Sequence, residues 1–179
     1  SLGGIIIDYN TFNWNRSEKL SELAKQYGSE AFTFKLRREI HRNLGAYMTP
    51  QVAYMQSLGL ESLETRFRQS AGTCLKLAQE MCNIKGIVSV NYTGLPQNKY
   101  YNISYRQFGE LPGAMLTFDL ENKSKCFRFL NNLKRIKRAT NLFDNKSLII
   151  HPASTIFGTF DEETRRKMNV SDSTIRLSV

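Results

Sequence analysis

Cysteine and histidine are scarce in the 179 residues: Cys74, Cys82 and Cys126, with His41 and His151. Three widely spaced cysteines build neither a disulfide framework nor a C-x2-C zinc pattern, so a reducing cytoplasm is the simplest compartment. No apolar run approaches the roughly 18 residues that a spanning helix needs, and the first residues lack the basic flank of a signal peptide. G-x-S-x-G, H-E-x-x-H and phosphate-loop patterns are missing too, so no local motif performs chemistry by itself. An initiating Met is also absent. With strand-like runs at both ends, the chain reads as a piece cut from a longer one.

What is present is ordinary in composition and basic in charge. Hydrophobic residues make up 41% and charged residues 23%, which excludes disorder and fibrous repeats. Lys and Arg number 25 against 16 Asp and Glu, a formal charge of +9. The surplus gathers at Lys35, Arg37, Arg38, His41 and Arg42, and again at Lys134, Arg135, Lys137 and Arg138. Both clusters read as solvated faces or ends of helices, the second helped by the dipole of a helix ending near Lys137. The competing reading is a noncatalytic basic domain that binds RNA or a protein partner. No RNA- or DNA-binding signature accompanies the charge.

Periodicity sketches the elements. Ile5–Ile7 reads as a short buried strand, and Phe32, Leu36 and Ile40 fall on one face of a helix over 31–42. From Thr49 and Pro50, a good N-cap and first helical residue, an apolar beat runs through Val52, Met55, Leu58, Leu63, Phe67, Cys74, Ala78 and Met81, slipping near Gly59. That predicts a helix or kinked pair of about 30 residues, with Met48, Met55 and Met81 filling a core and Cys74 and Cys82 buried. Beyond Gly86, strands at 87–92, 114–120, 147–151 and 174–179 alternate with helices at 98–108, 124–137 and 161–168. Interleaving of this kind predicts an α/β fold. His151, ending a strand before Pro152, reads as a hydrogen-bonded structural residue. Arg176 lies between Ile175 and Leu177 and points to the opposite face from them, where it is either solvated or an anion clamp.

The stretch Asn43-Leu-Gly-Ala-Tyr-Met-Thr-Pro50, followed by Gln56-Ser-Leu-Gly-Leu-Glu-Ser-Leu-Glu-Thr-Arg66, resembles the Cys/Met-metabolism family of pyridoxal-phosphate enzymes. That family carries N-x-G-x-x-x-(S/T)-P before a Q-G-L-E-(T/S)-L-x-x-R helix. Residues 90–96, 148–155 and 175–179 resemble its later motifs in the same order. The resemblance implies an α/β chain forming the C-terminal part of a fold-type I enzyme. Residues 1–50 would end the large cofactor-binding domain, residues 51–82 would be a connecting helix, and residues 83–179 a small domain with a four-stranded, mostly antiparallel sheet covered by helices.

The same resemblance implies a function. The lysine that holds pyridoxal 5'-phosphate would lie about nine residues before the strand that Ser1–Asp8 resembles, so no catalytic residue is expected in this chain. Arg176 maps onto the arginine for the substrate carboxylate, and Asn141 onto a Ser or Asn that meets the same carboxylate. Asparagine there is similar to the O-acetylhomoserine sulfhydrylase branch, whereas γ-lyases and cystathionine synthases usually show serine. The implied substrates are O-acetylhomoserine with sulfide or a thiol, in a cytoplasmic homotetramer that needs no metal or membrane. Two departures stand out: Phe143 replaces a frequent Gly, and Ile156-Phe157 replaces Thr-His.

Overall fold

The computed structural model describes residues 3–179. It divides into two compact units, residues 1–61 and 62–179. In the first, α1 (Ser21–Tyr27) precedes α2 (Ala31–Lys35), whose helical path continues through a π-helical stretch, Leu36–His41, into α3 (Arg42–Leu44); α4 (Pro50–Glu61) ends the unit. Gly45 stops the third helix in the left-handed conformation that glycine adopts most readily, φ 60°.

Among its described residues this unit fully buries only Leu20, Ala24 and Ala31. So little enclosed apolar area overturns three expectations. Ile5–Ile7 forms no strand and is exposed, because no described strand pairs with it; Ser1 and Leu2, which open that stretch, lie outside the described residues. Met48 and Met55 are exposed rather than filling a core.

The second unit begins with α5 (Leu63–Met81), so of the two alternatives for the long apolar beat, one helix or a kinked pair, it is the pair, separated at Ser62. Ala71, Cys74, Ala78 and Met81, at helical spacing, are its buried stripe. Then follow β1 (Ile87–Asn91), α6 (Tyr101–Phe108), β2 (Met115–Leu120), α7 (Lys123–Asn132), β3 (Lys137–Arg138), β4 (Leu148–Ile150), α8 (Glu162–Lys167) and β5 (Thr174–Ser178). Asn122 caps α7 by accepting from the Lys125 N–H, and Asp161 caps α8 through Thr164.

The sheet has five strands in the order β1-β2-β5-β4-β3. Its pairings are antiparallel except β3 with β4, which is parallel. β3 is one strand more than the four expected, and it falls where the periodicity predicts the end of a helix. That helix stops at Asn132, where Leu133 turns to extended backbone, so Lys134–Arg138 owes nothing to a helix dipole. Cations on a short edge strand instead discourage pairing with another chain.

One face of the sheet is apolar. Leu116, Phe118, Ile149, Ile175 and Leu177 pack with Cys74, Ala78 and Met81 of α5 and Cys126 and Leu130 of α7. Cys82, past the end of α5, is exposed rather than buried. Among the described residues no helix is long and apolar enough to cross a membrane.

Candidate functional site

Strand β5 reads Thr-Ile-Arg-Leu-Ser, and the pleat sends Thr174, Arg176 and Ser178 to the face away from the core. Thr117 of β2 and Ile150 of β4 stand directly opposite Arg176 on either side. Being hydrogen-bonded on both edges, β5 cannot drift, and it presents the guanidinium from a rigid base. Its Nη2 donates to the Thr140 carbonyl oxygen at 2.7 Å. Its Nε is buried and has no acceptor. No carboxylate pairs with it among the described residues, and burial lowers its pKa. A partly desolvated cation whose internal partner is a carbonyl dipole is arranged to receive an anion.

The rest of this face is a polar ladder. Asp119 accepts from Ser89 Oγ at 2.7 Å and from Thr174 Oγ1 at 2.6 Å. Beside it, Asn91 Nδ2 donates to Thr117 Oγ1 at 3.3 Å. Asp119 is thus satisfied by neutral hydroxyls and leaves Arg176 uncompensated.

The residues 139–147 lie over the end of β5. Asn141 is exposed, and its Nδ2 donates to Asp144 Oδ2 at 2.9 Å. It neighbours Thr140, whose carbonyl meets Arg176, while its own amide is turned to Asp144. Phe143 adopts a left-handed φ of 50° and donates its N–H to Ser178 Oγ at 3.1 Å. Thr140 and Ser178 escaped the sequence reading. Ser178 could have been found from the every-second-residue polar pattern of β5; the Thr140 carbonyl left no trace in side-chain chemistry.

His151 holds the other approach to β5. It is buried, with Nδ1 2.8 Å from Ser154 Oγ and Nε2 2.8 Å from the Asp172 carbonyl oxygen. A carbonyl only accepts, so Nε2 carries a proton. The ring therefore ties the end of β4 to the turn that launches β5, and it is structural, as its position suggested. A cavity of about 770 Å³, lined by Met81, Phe118, Phe129, Leu133, Ile149 and Leu177, opens on the apolar face, opposite to Arg176.

The lysines test whether this chain could also anchor a carbonyl cofactor. A lysine that does so must be desolvated and unpaired for its amine to react. Among the described residues only Lys35 is a half-buried lysine, and it pairs with Glu39 at 2.6 Å. Among the described residues the group that fits the anionic end of a ligand is the half-buried guanidinium of Arg176 rather than a lysine.

A family model described as Cys/Met metabolism PLP-dependent enzyme matches residues 1–179, and the chain belongs to that family. O-acetyl-L-homoserine sulfhydrylase 1 of Thermus thermophilus is 32% identical over 99% of this chain and 45% of its own length. The solved O-acetylhomoserine sulfhydrylase of Wolinella succinogenes superposes with a TM-score of 0.75 at 38% identity, over 97% of this chain and 46% of that one. A structure described as a putative O-acetylhomoserine (thiol)-lyase from Campylobacter jejuni, holding a pyridoxyl-lysine phosphate group, has a TM-score of 0.77 at 32% identity, over 83% of this chain and 35% of that one. The chain thus spans less than half the length of these relatives, and its α/β fold is that of the fold-type I pyridoxal-phosphate enzymes.

Proposed function

We propose that this chain forms the substrate-carboxylate side of a pyridoxal-phosphate-dependent O-acetylhomoserine sulfhydrylase. The observation that carries the reading is Arg176: a half-buried guanidinium on a rigid central strand, bonded to one carbonyl and to no carboxylate. Its planar fork matches an α-carboxylate, and Asn141 beside it offers an amide to the same group. Pyridoxal phosphate supplies the electron sink for loss of acetate and addition of sulfide or a thiol. The lysine that holds it belongs to another segment of the complete enzyme, so this chain alone is inactive; the complete enzyme acts as a homotetramer in the cytoplasm. The role of Arg176 and Asn141 is to bind and orient the amino acid.

Sulfide-dependent release of acetate from O-acetylhomoserine by the complete enzyme tests the reading; no turnover would refute it. A cystathionine γ-synthase of Xanthomonas oryzae, 28% identical with a TM-score of 0.71, favours a second reading within the family, in which cysteine replaces sulfide. Offering sulfide, cysteine and homocysteine separately decides between them.

A further inference from the structure

Arg176 and Ser178 leave β5 on the same face, and each holds one end of the same loop. Arg176 Nη2 donates to the Thr140 carbonyl at 2.7 Å, and the Phe143 N–H donates to Ser178 Oγ at 3.1 Å. Just past the second anchor the loop closes on Asp144, which accepts from Asn141 Nδ2 at 2.9 Å and from the Lys146 N–H at 3.2 Å.

Phe143 is costly where it stands. A bulky side chain at φ 50° is an outlier, disfavoured by about 1 kcal/mol or more, and persists only if its surroundings over-determine it. Two contacts do so: its ring lies 5.8 Å from that of Phe67, and its N–H is turned onto Ser178. Ser178 is 1% exposed, so its hydroxyl is not taken up by solvent. The Thr140 carbonyl and the Phe143 N–H lie three residues apart in the same loop, so pinning the second restricts where the first can point.

The geometry points to Ser178 as a positioning residue for substrate recognition: through the Phe143 N–H it pins the loop whose Thr140 carbonyl orients the fork of Arg176. This rests on the reading that Arg176 takes the substrate carboxylate. A guanidinium whose plane is fixed in advance loses less freedom on binding than one that must be captured from several rotamers. Because Phe143 disfavours this backbone, the hydrogen bond to Ser178 and the ring contact with Phe67 are what hold the loop in this shape.

The test uses the complete enzyme with O-acetylhomoserine and sulfide. Ser178→Ala is expected to raise KM for O-acetylhomoserine about tenfold, as for loss of one buried hydrogen bond. Turnover number should stay within about threefold and KM for sulfide should not move, because uniform amino-acid binding alone is weakened. Ser178→Cys, which keeps the packing but is a poor acceptor, should behave like Ser178→Ala and carries the test if the alanine variant does not fold. Ser178→Thr, retaining the hydroxyl, should restore most of the affinity. In an Arg176→Ala background the effect of Ser178→Ala on KM should vanish. An unchanged KM in the Ala and Cys variants while Arg176→Ala raises it, or a full effect persisting without Arg176, overturns the positioning role alone. If Arg176→Ala leaves KM unchanged, the carboxylate reading itself falls, and this inference with it.

Discussion

Replacing Arg176 by alanine in the complete enzyme removes a half-buried cation from the polar face of the sheet, one bonded to a backbone carbonyl and with a buried Nε that has no acceptor. A carboxylate seated about 4 Å from the guanidinium gains about 4 kcal/mol at the effective dielectric of a protein surface. Water entering the vacated space returns part of that, which leaves a loss of about 2–4 kcal/mol. In rate terms this is about a 30- to 1000-fold fall in kcat/KM for O-acetylhomoserine. The carboxylate is remote from the bond that breaks and is held alike in ground and transition states, so the loss should fall mainly on KM. Arg176→Lys should lie between the two, keeping the charge while losing the fork that meets both carboxylate oxygens and the Thr140 carbonyl. Folding should lose only about 1 kcal/mol, because the side chain's internal bond is to one backbone oxygen. Steady-state acetate release at varied O-acetylhomoserine, alongside thermal unfolding, checks all three. A KM unchanged in a folded Arg176→Ala enzyme would refute the assignment.

Burial pushes the Cys74 thiol from 9.0 up to about 12 and raises Cys126 in the same direction, whereas Cys82 is exposed. Unfolded, Cys74 ionises near 9.0; folded, it stays neutral until about 12. Its stabilising contribution is therefore complete below pH 9 and is lost as pH rises from there through about 12, so the thermal midpoint should decline over that window and decline less in Cys74→Ala; equal slopes would contradict this. At pH 8, iodoacetamide should label Cys82 first by peptide mass spectrometry, and prior labelling of Cys74 in the folded protein would be the opposite result. His151→Ala removes a buried ring together with its bonds to the Asp172 carbonyl and the Ser154 hydroxyl, for an expected loss of about 2–4 kcal/mol in chemical unfolding; a loss below about 1 kcal/mol would show the ring is replaceable by water. Ile175→Ala empties a fully buried position against Phe118, expected to cost about 2–5 kcal/mol in the same assay while KM stays unchanged.

Period and punctuation made the second unit legible to a considerable depth. The stripe of Cys74, Ala78 and Met81, the helix starts near 124 and 161, and the alternation that turns Arg176 away from Ile175 and Leu177 all depend on neighbours within a few residues. What escaped depends on partners far along the chain. β3 is two residues long and is a strand only because Leu148 and Ile149 lie beside it. Phe143 accepts a left-handed backbone because Ser178, 35 positions later, takes its N–H. Ile5–Ile7 shows the reverse failure: apolar β-branched residues advertise a strand, but pairing needs a second strand, and none described is there. The family motifs located Arg176 and Asn141; the geometry adds that one carbonyl, Thr140, lies between them in the chain of contacts.

Site and core are set by the same register. Leu116 and Leu177 pair on the apolar face, Thr117 and Arg176 on the polar one, and Ile149 and Ile150 repeat the alternation on the other side of β5. A slip of one residue along β5 would turn Arg176 into the cluster of Phe118, Cys126 and Leu130 while expelling Ile175 and Leu177. Burying an unpaired guanidinium there costs several kcal/mol, and exposing two large aliphatic side chains costs about as much again. Those losses are a large fraction of the stability of a whole domain, so slipped pairing is scarcely populated. The apolar alternation that folds the small sheet is therefore also what holds the guanidinium on the open face, and Arg176 is placed by the core residues on either side of it before any contact of its own is made.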